Sequence, residues 1–170
     1  SFAAPASGIT SSNAILIRQT AGGTARTFYV DNLSITIAAD YNYATDGGVD
    51  DSTNFSTNWT SVAGATVSRS TSVGNDTSDS AQVLPPPTGP GIRNKLSINP
   101  LTGTLYRVTV YAASSTAGFG TFTVSYSRDG GTSFVNCADY NTQTISSSLT
   151  AFTEVTCYIT TDGTAATNPY

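Results

Sequence analysis

The stretch from Arg26 to Ile37 reads RTFYVDNLSITI. Aromatic and β-branched residues dominate it and alternate with polar ones, the signature of a half-buried β-strand. The alternation changes phase part way. Phe28 and Val30 share one parity, whereas Leu33, Ile35 and Ile37 share the other. Side chains on a strand repeat every second residue, so one extra residue at Asp31-Asn32 would return all five to one face. The stretch is therefore expected to be a bulged strand with those five residues buried.

Working outward, Ala14 to Arg18 is a short apolar run, and Ala21-Gly22-Gly23-Thr24 between the two reads as a hairpin turn. Ala38 to Asn58 is rich in Asp, Asn, Gly, Ser and Thr and reads as a linker or long loop. Strand signals resume at Ala65–Arg69, Ala81–Leu84 and Ile92–Ile98, the last with Ile92, Leu96 and Ile98 on one face. The proline run from Pro85 to Gly91 cannot be central strand, because proline donates no ladder hydrogen bond. Leu105–Ala113 points Tyr106, Val108 and Val110 inward, and Thr121–Ser127 offers Phe122, Val124 and Tyr126. Ser133–Cys137, Thr142–Ser146 and Phe152–Thr160 complete the series. No segment carries a helical period. Many short strands with regular turns predict an all-β sandwich or barrel.

Composition narrows the setting. Of 170 residues only 11% are charged, against about a quarter in ordinary domains, and Lys95 is the only lysine. A net charge of −4 without a basic cluster argues against nucleic acid, whose phosphates must be neutralised by Lys and Arg. No apolar run approaches the roughly 18 residues of a membrane helix, so no membrane span is expected. Methionine is absent even at position 1, which implies numbering that starts after processing or inside a longer polypeptide. An extracellular or cell-surface β-protein is the expectation.

Cys137 and Cys157 are the only cysteines. Cys137 shares parity with Val135, and Cys157 with Val155 and Ile159, so both should face the core. A bridge between neighbouring strands is expected, closing a loop of about 20 residues and contributing on the order of 3 kcal/mol. Two buried free thiols are the other reading. Metal binding through cysteine is not expected, since histidine is absent.

The same absence removes Ser-His-Asp and Cys-His arrangements. Glu154 is the only glutamate, and no pair of aspartates stands out as a glycosidase pair. An enzyme is not expected. N-glycosylation sequons occur at Asn75, Asn54, Asn58 and Asn32, with Asn75 in the most loop-like setting, and Thr88 in the proline run could carry O-linked sugar. The Ser127–Phe134 segment approximates an Asp-box turn, read here as a turn stabiliser.

From Thr53 onward the order of features is similar to the jelly-roll carbohydrate-binding modules of bacterial secreted and surface proteins. Asn54-Phe55 and Asn58-Trp59 precede the small-residue strand Ala63 to Val67; Ile92–Ile98 follows; then Pro100-Leu101-Thr102-Gly103 leads to the long strand with Tyr106. The family closes on a strand of the type found here as Tyr29-Val30-Asp31-Asn32-Leu33, at the opposite end of the chain. The resemblance implies an antiparallel jelly-roll sandwich whose closing strands are displaced to the N-terminus. Residues 1–40 would form a strand pair, a donor or closing hairpin, and residues 41–170 the jelly-roll body.

The resemblance also implies a structural calcium ion at Asp31, the only cofactor expected, with Asp40, Asp46, Asp50 and Asp51 as further oxygens; solvated loop carboxylates are the plainer reading. Carbohydrate binding would use loop aromatics, among them Tyr41, Tyr43, Phe119 and Tyr140, with Trp59 and Tyr106 reading better as core. Two arrangements of the N-terminal strands follow: completion of a neighbouring subunit, or folding back as a circular permutant. A sandwich lacking its closing strands exposes an unpaired edge and an uncovered core stripe, both of which a neighbour's strand satisfies. Such a contact is head-to-tail and generates an open filament. The expected function is that of a structural subunit of an extracellular filament or surface appendage, partnered by copies of itself. The alternative is a carbohydrate-binding module of a secreted hydrolase or adhesin.

Overall fold

A computed structural model of the chain describes residues 14–20, 26–36, 42–84, 91–96, 104–117, 119–127 and 133–161. Among these, ten strands and a one-turn helix follow in the order β1 (Ala14–Thr20), β2 (Phe28–Thr36), α1 (Phe55–Asn58), β3 (Trp59–Val62), β4 (Thr66–Ser70), β5 (Ser80–Leu84), β6 (Gly91–Lys95), β7 (Leu105–Ser114), β8 (Thr121–Ser127), β9 (Val135–Asn136) and β10 (Thr153–Thr160). They form two five-stranded antiparallel sheets, ordered β3-β6-β1-β8-β9 and β10-β7-β2-β5-β4, packed as a sandwich. The chain is all-β, as its alternating pattern requires.

β1 and β2 are the middle strands of their sheets. Ile15 and Ile17 from β1 meet Phe28, Val30 and Leu33 from β2 in one core, with Val108, Val110, Phe122 and Val124 beside them. Ile15, Leu16 and Ile17 are all essentially inaccessible. Leu16 has the outward parity, and its Cδ1 lies against Gly91, where an added Cβ would stand only 2.8 Å away. A strand buried on both faces reads as a continuous apolar run, which explains the sequence of β1.

The phase slip in β2 is a bulge. The register against β7 shifts between Asp31 and Ser34, and Asn32 takes a left-handed φ of 48°. Phe28, Val30 and Leu33 are fully buried across the slip. Ile35 pairs with Val108 in the ladder, and Ile37 lies outside the described residues.

Both sides of the sandwich are closed. On one side β3 passes into β4 through Ala63 and Gly64, with φ of 56° and 75°, so the two sheet edges are joined by a tight turn. On the other, Cys137 just after β9 is bonded to Cys157 on β10, with Cα atoms 5.7 Å apart. Ala138 and Tyr158 exchange backbone hydrogen bonds beside it. The expected disulfide is present, but it ties the two sheets together at their edges rather than joining neighbours within one sheet.

Several local expectations are corrected. β1 and β2 lie in different sheets, so the connection between them is a crossing and not a hairpin. The Ala38–Asn58 stretch, read as a linker or long loop, is a loop from Asn42 to Asn54 but not a linker: Val49 and Phe55 are buried, and the helix turn α1 opens at Phe55. Val135 is 41% exposed, so its parity with Cys137 did not signal the core. Thr142–Ser146 forms no strand; Ser146 makes a single parallel bridge to Ala113 while Ile145 is buried. The proline run and the central residues of the Asp-box-like turn lie outside the described residues.

Candidate functional site: the seat of the second strand

The most elaborated place in the molecule is the groove that receives β2. Its flanks are ladders: Phe28, Tyr29 and Val30 pair with Val83, Gln82 and Ala81 of β5, and the other edge pairs with β7 from Ser114 to Arg107. Its floor is apolar. The Phe28 ring meets Phe119 edge-on at 5.2 Å and Phe122 at 6.1 Å, geometries that aromatic quadrupoles favour.

The bulge releases backbone groups from the ladder, and the following loop satisfies them. The amide of Leu33 donates to the carbonyl of Gly47 at 3.0 Å, and Asn42 Nδ2 donates to the carbonyl of Leu33 at 3.1 Å. That loop is fixed in turn by Asn94 on β6, whose side chain accepts from the amide of Thr45 at 3.1 Å and donates to its carbonyl at 2.7 Å. Trp59 Nε1 donates to the carbonyl of Asp46 at 3.0 Å. Trp59 is 1% exposed, a core ring as its sequence setting implied.

Asp31 sits at the bulge with no solvent exposure. One oxygen accepts the amide of Asn32 at 2.8 Å and the other the amide of Asn75 at 2.6 Å. Burial pushes its carboxyl up to about 6 against those two hydrogen bonds, and the nearby charges of Asp76 and Asp50 push the same way. Asp46 is also raised by burial; its Oδ1 accepts the amide of Asp51, and its Oδ2 is buried without a hydrogen-bond partner. Asp51 is lowered instead, chiefly because the Asn54 side chain donates to it at 2.7 Å. Asp50 is exposed.

Positive charge in this acidic corner comes from Arg69 on β4. Its Nε donates to the carbonyl of Val49 at 2.8 Å, and its Nη2 reaches Asp79 at 2.7 Å in the one salt bridge among the described residues. Among those residues no cluster of three or more Asp, Glu, His or Cys side chains is placed to hold a metal ion. The carboxylates expected around calcium are spread over the bulge and the Asp46–Asp51 turn, most of them accepting backbone amides; Asp40 lies outside the described residues.

The sugar-platform candidates are used elsewhere. Phe119 is 4% exposed. Tyr43 is half-buried, edge-on to Tyr106 at 6.2 Å. The Tyr140 hydroxyl is clasped against β8, accepting from the amide of Val124 at 2.7 Å and donating to its carbonyl at 2.9 Å. Tyr41 lies outside the described residues. Of the sequons, Asn75 is exposed, Asn54 is exposed but bound to Asp51, Asn32 is half-buried at the bulge, and Asn58 is 7% exposed, too enclosed to carry a glycan. Thr88 is outside the described residues.

Sequence reading missed Arg69, Gly47 and Asn94, and, although it placed Asn75 in a loop, it missed the contact of that loop with Asp31. Only Asn94 left a trace, as a polar residue on the inward parity between Ile92 and Leu96. The chemistry assembled here is that of a strand seat: an apolar floor, two amide ladders and one buried carboxylate. Comparison with protein-family models, with curated proteins and with solved structures finds no match to this chain.

Proposed function

We propose that the protein is a structural subunit of an extracellular filament or surface appendage, joined head to tail by donation of residues 1–37 to a neighbouring sandwich. The observation that carries this reading is the position of β1 and β2 at the centre of both sheets. Without them the sheets fall into the pairs β3-β6, β8-β9, β10-β7 and β5-β4, each exposing edges and core. Isolated two-stranded pairs are marginal in water, so whatever supplies these two strands controls the fold.

In the structure the strands come from the same chain, a closed form. Everything they touch would be offered equally by a second copy, which is the condition for exchange of an element between protomers. Burying Phe28, Val30 and Leu33 supplies roughly 1.5–3 kcal/mol each in either arrangement. Exchange therefore conserves the main contacts while linking chains. The disulfide supports an oxidising, extracellular setting. The displaced jelly-roll closing motif at Tyr29–Leu33 supports the donor role. The alternative, a permuted carbohydrate-binding module, draws support from the closed form itself but lacks an exposed pair of rings among the described candidates.

Ser34 of β2 and Thr109 of β7 are ladder partners on the outward parity, which makes them a cross-linking pair. The variant Ser34→Cys/Thr109→Cys, refolded over a range of concentrations and oxidised, is expected to give a covalent ladder on a non-reducing gel that lengthens with concentration. Fibres should accompany it in electron microscopy. Oxidation to monomer only, at every concentration and without fibres, overturns the filament reading and leaves the permuted module, to be tested by retention on polysaccharide columns.

A further inference from the structure

We propose that residues 137–141 form a strap over the outer edge of β10, and that this edge, once the strap is lifted, docks with β10 of a second copy. β10 ends its sheet, so the backbone groups of Glu154, Thr156 and Tyr158 that point away from β7 have no neighbouring strand. Two residues answer for most of them. Ala138 exchanges both backbone hydrogen bonds with Tyr158, at 2.8 and 2.9 Å. Asn141 uses main chain and side chain together. Its amide donates to the carbonyl of Thr156 at 3.0 Å, its Oδ1 accepts the amide of Thr156 at 2.7 Å, and its Nδ2 donates to the carbonyl of Glu154 at 3.0 Å. A side-chain amide thus stands in for a peptide group. The strap turns at Asp139, whose φ is 52°. It is pinned at one end by the disulfide and in the middle by the Tyr140 hydroxyl on Val124. Ala138, Asp139 and Asn141 are exposed, so the strap lies on the edge and not in the core.

The strand beneath suits a copy of itself. On its outward face Glu154 stands opposite Tyr111, whose hydroxyl donates to it at 2.6 Å, and Thr156 stands opposite Thr109, their hydroxyls 3.4 Å apart. Two β10 strands paired antiparallel about a twofold axis at Thr156 would set Glu154 against Tyr158 of the other copy, and Thr156 against its own equivalent. That repeats the carboxylate–tyrosine and threonine–threonine pairs that β10 already makes with β7. No like charges meet. β10 carries a single charge and neither lysine nor proline, the residues that otherwise discourage edge pairing. The amides and carbonyls held by the strap are the ones this register needs, so strap and second copy compete for one edge.

The test compares wild type with Cys137→Ala/Cys157→Ala/Asn141→Ala, which lacks the staple and the surrogate amide, by sedimentation velocity over a range of concentrations. The variant is expected to pass from monomer to dimer, reaching about twice the monomer mass, at concentrations where wild type does not. In the dimer the amides of Thr156 and Tyr158 should exchange slowly. Adding Thr156→Lys sets two lysines face to face on the axis and should return the variant to monomer, whereas Thr156→Val, similar in shape and uncharged, should leave it dimeric. A variant that stays monomeric, or association that Thr156→Lys does not weaken, overturns the proposal. If the triple variant fails to fold, Asn141→Ala with the disulfide intact carries the same comparisons at higher concentration. Strand donation uses β1 and β2 and leaves the β10 edge untouched, so failure of this dimer and failure of the filament are separate results.

Discussion

Gly47 shows how a single position can hold two segments in place. It is buried, its carbonyl accepts the amide of Leu33, and a Cβ there would lie 2.2 Å from the carbonyl oxygen of Leu33. The neighbour is backbone in the middle of a sheet, so it cannot swing aside as a side-chain tip would. Gly47→Ala is expected to destabilise the fold by about 1–3 kcal/mol, the usual cost of overpacking a fitted contact, read as a lowered urea midpoint. Gly64 is the contrast. Its φ is 75°, but nothing lies within 4 Å of its Cβ position. Gly64→Ala should show only the backbone cost of a left-handed residue, about 1–2 kcal/mol, with no change in hydrogen exchange at Leu33. Equal exchange at Leu33 in both variants would mean that the Gly47 contact does not restrain the bulge.

At the scale of the element, the bulge in β2 decides which side chains reach the core. Inserting one alanine after Asn32, with the one-residue bulge kept, would drive Leu33 to the parity of the outward face while Phe28 and Val30 stayed inward. The insertion is expected to abolish cooperative unfolding or to lower stability by at least the roughly 1.5–3 kcal/mol that burial of Leu33 supplies. An insertion variant with wild-type stability would show that the strand can be re-registered freely. The slip was legible in the sequence because five apolar residues in two phases admit few explanations. β5, β7, β8 and β10 were legible for the same reason, each carrying an alternating run, although the ends of β7 and β8 are buried on both parities. β3 was not, since Trp59–Val62 is four residues long and starts directly from a helical turn. Thr142–Ser146 looked like a strand, yet Thr142 and Ser146 bond to the backbone two residues on, a local alternative to the ladder that composition does not reveal. The crossing between β1 and β2 was equally hidden, because a glycine-rich connection looks the same whether it turns back within a sheet or passes to the other one. At the seat, Asp31 was singled out as a calcium ligand, but its burial depends on the β4–β5 loop, which is far away in sequence.

The whole molecule is a sandwich filled from its centre and fastened at its sides, and the two fastenings differ in kind. The β3–β4 side is closed by the chain itself through Ala63 and Gly64. The β9–β10 side depends on Cys137–Cys157 together with the backbone bonds between Ala138 and Tyr158. β9 is only two residues long, so its ladder alone is a weak anchor. The cross-link closes a loop with a sequence separation of 20, for which loop-closure entropy gives on the order of 3 kcal/mol. Both cysteine positions are buried, so serine there also loses packing, and a conservative replacement by alanine isolates the staple better. The double variant Cys137→Ala/Cys157→Ala is expected to fold, because the central strands and the main core are untouched, with stability lower by roughly 2–4 kcal/mol in urea titration. Its hydrogen exchange should accelerate at the amides of Cys137 (now Ala), Ala138 and Tyr158, while amides pairing β3 with β6 keep their protection. Loss of protection spreading through β1 to β3 would mean that the sheets do not hold together from the middle, and that the disulfide, rather than the central pair of strands, is what keeps the sandwich closed.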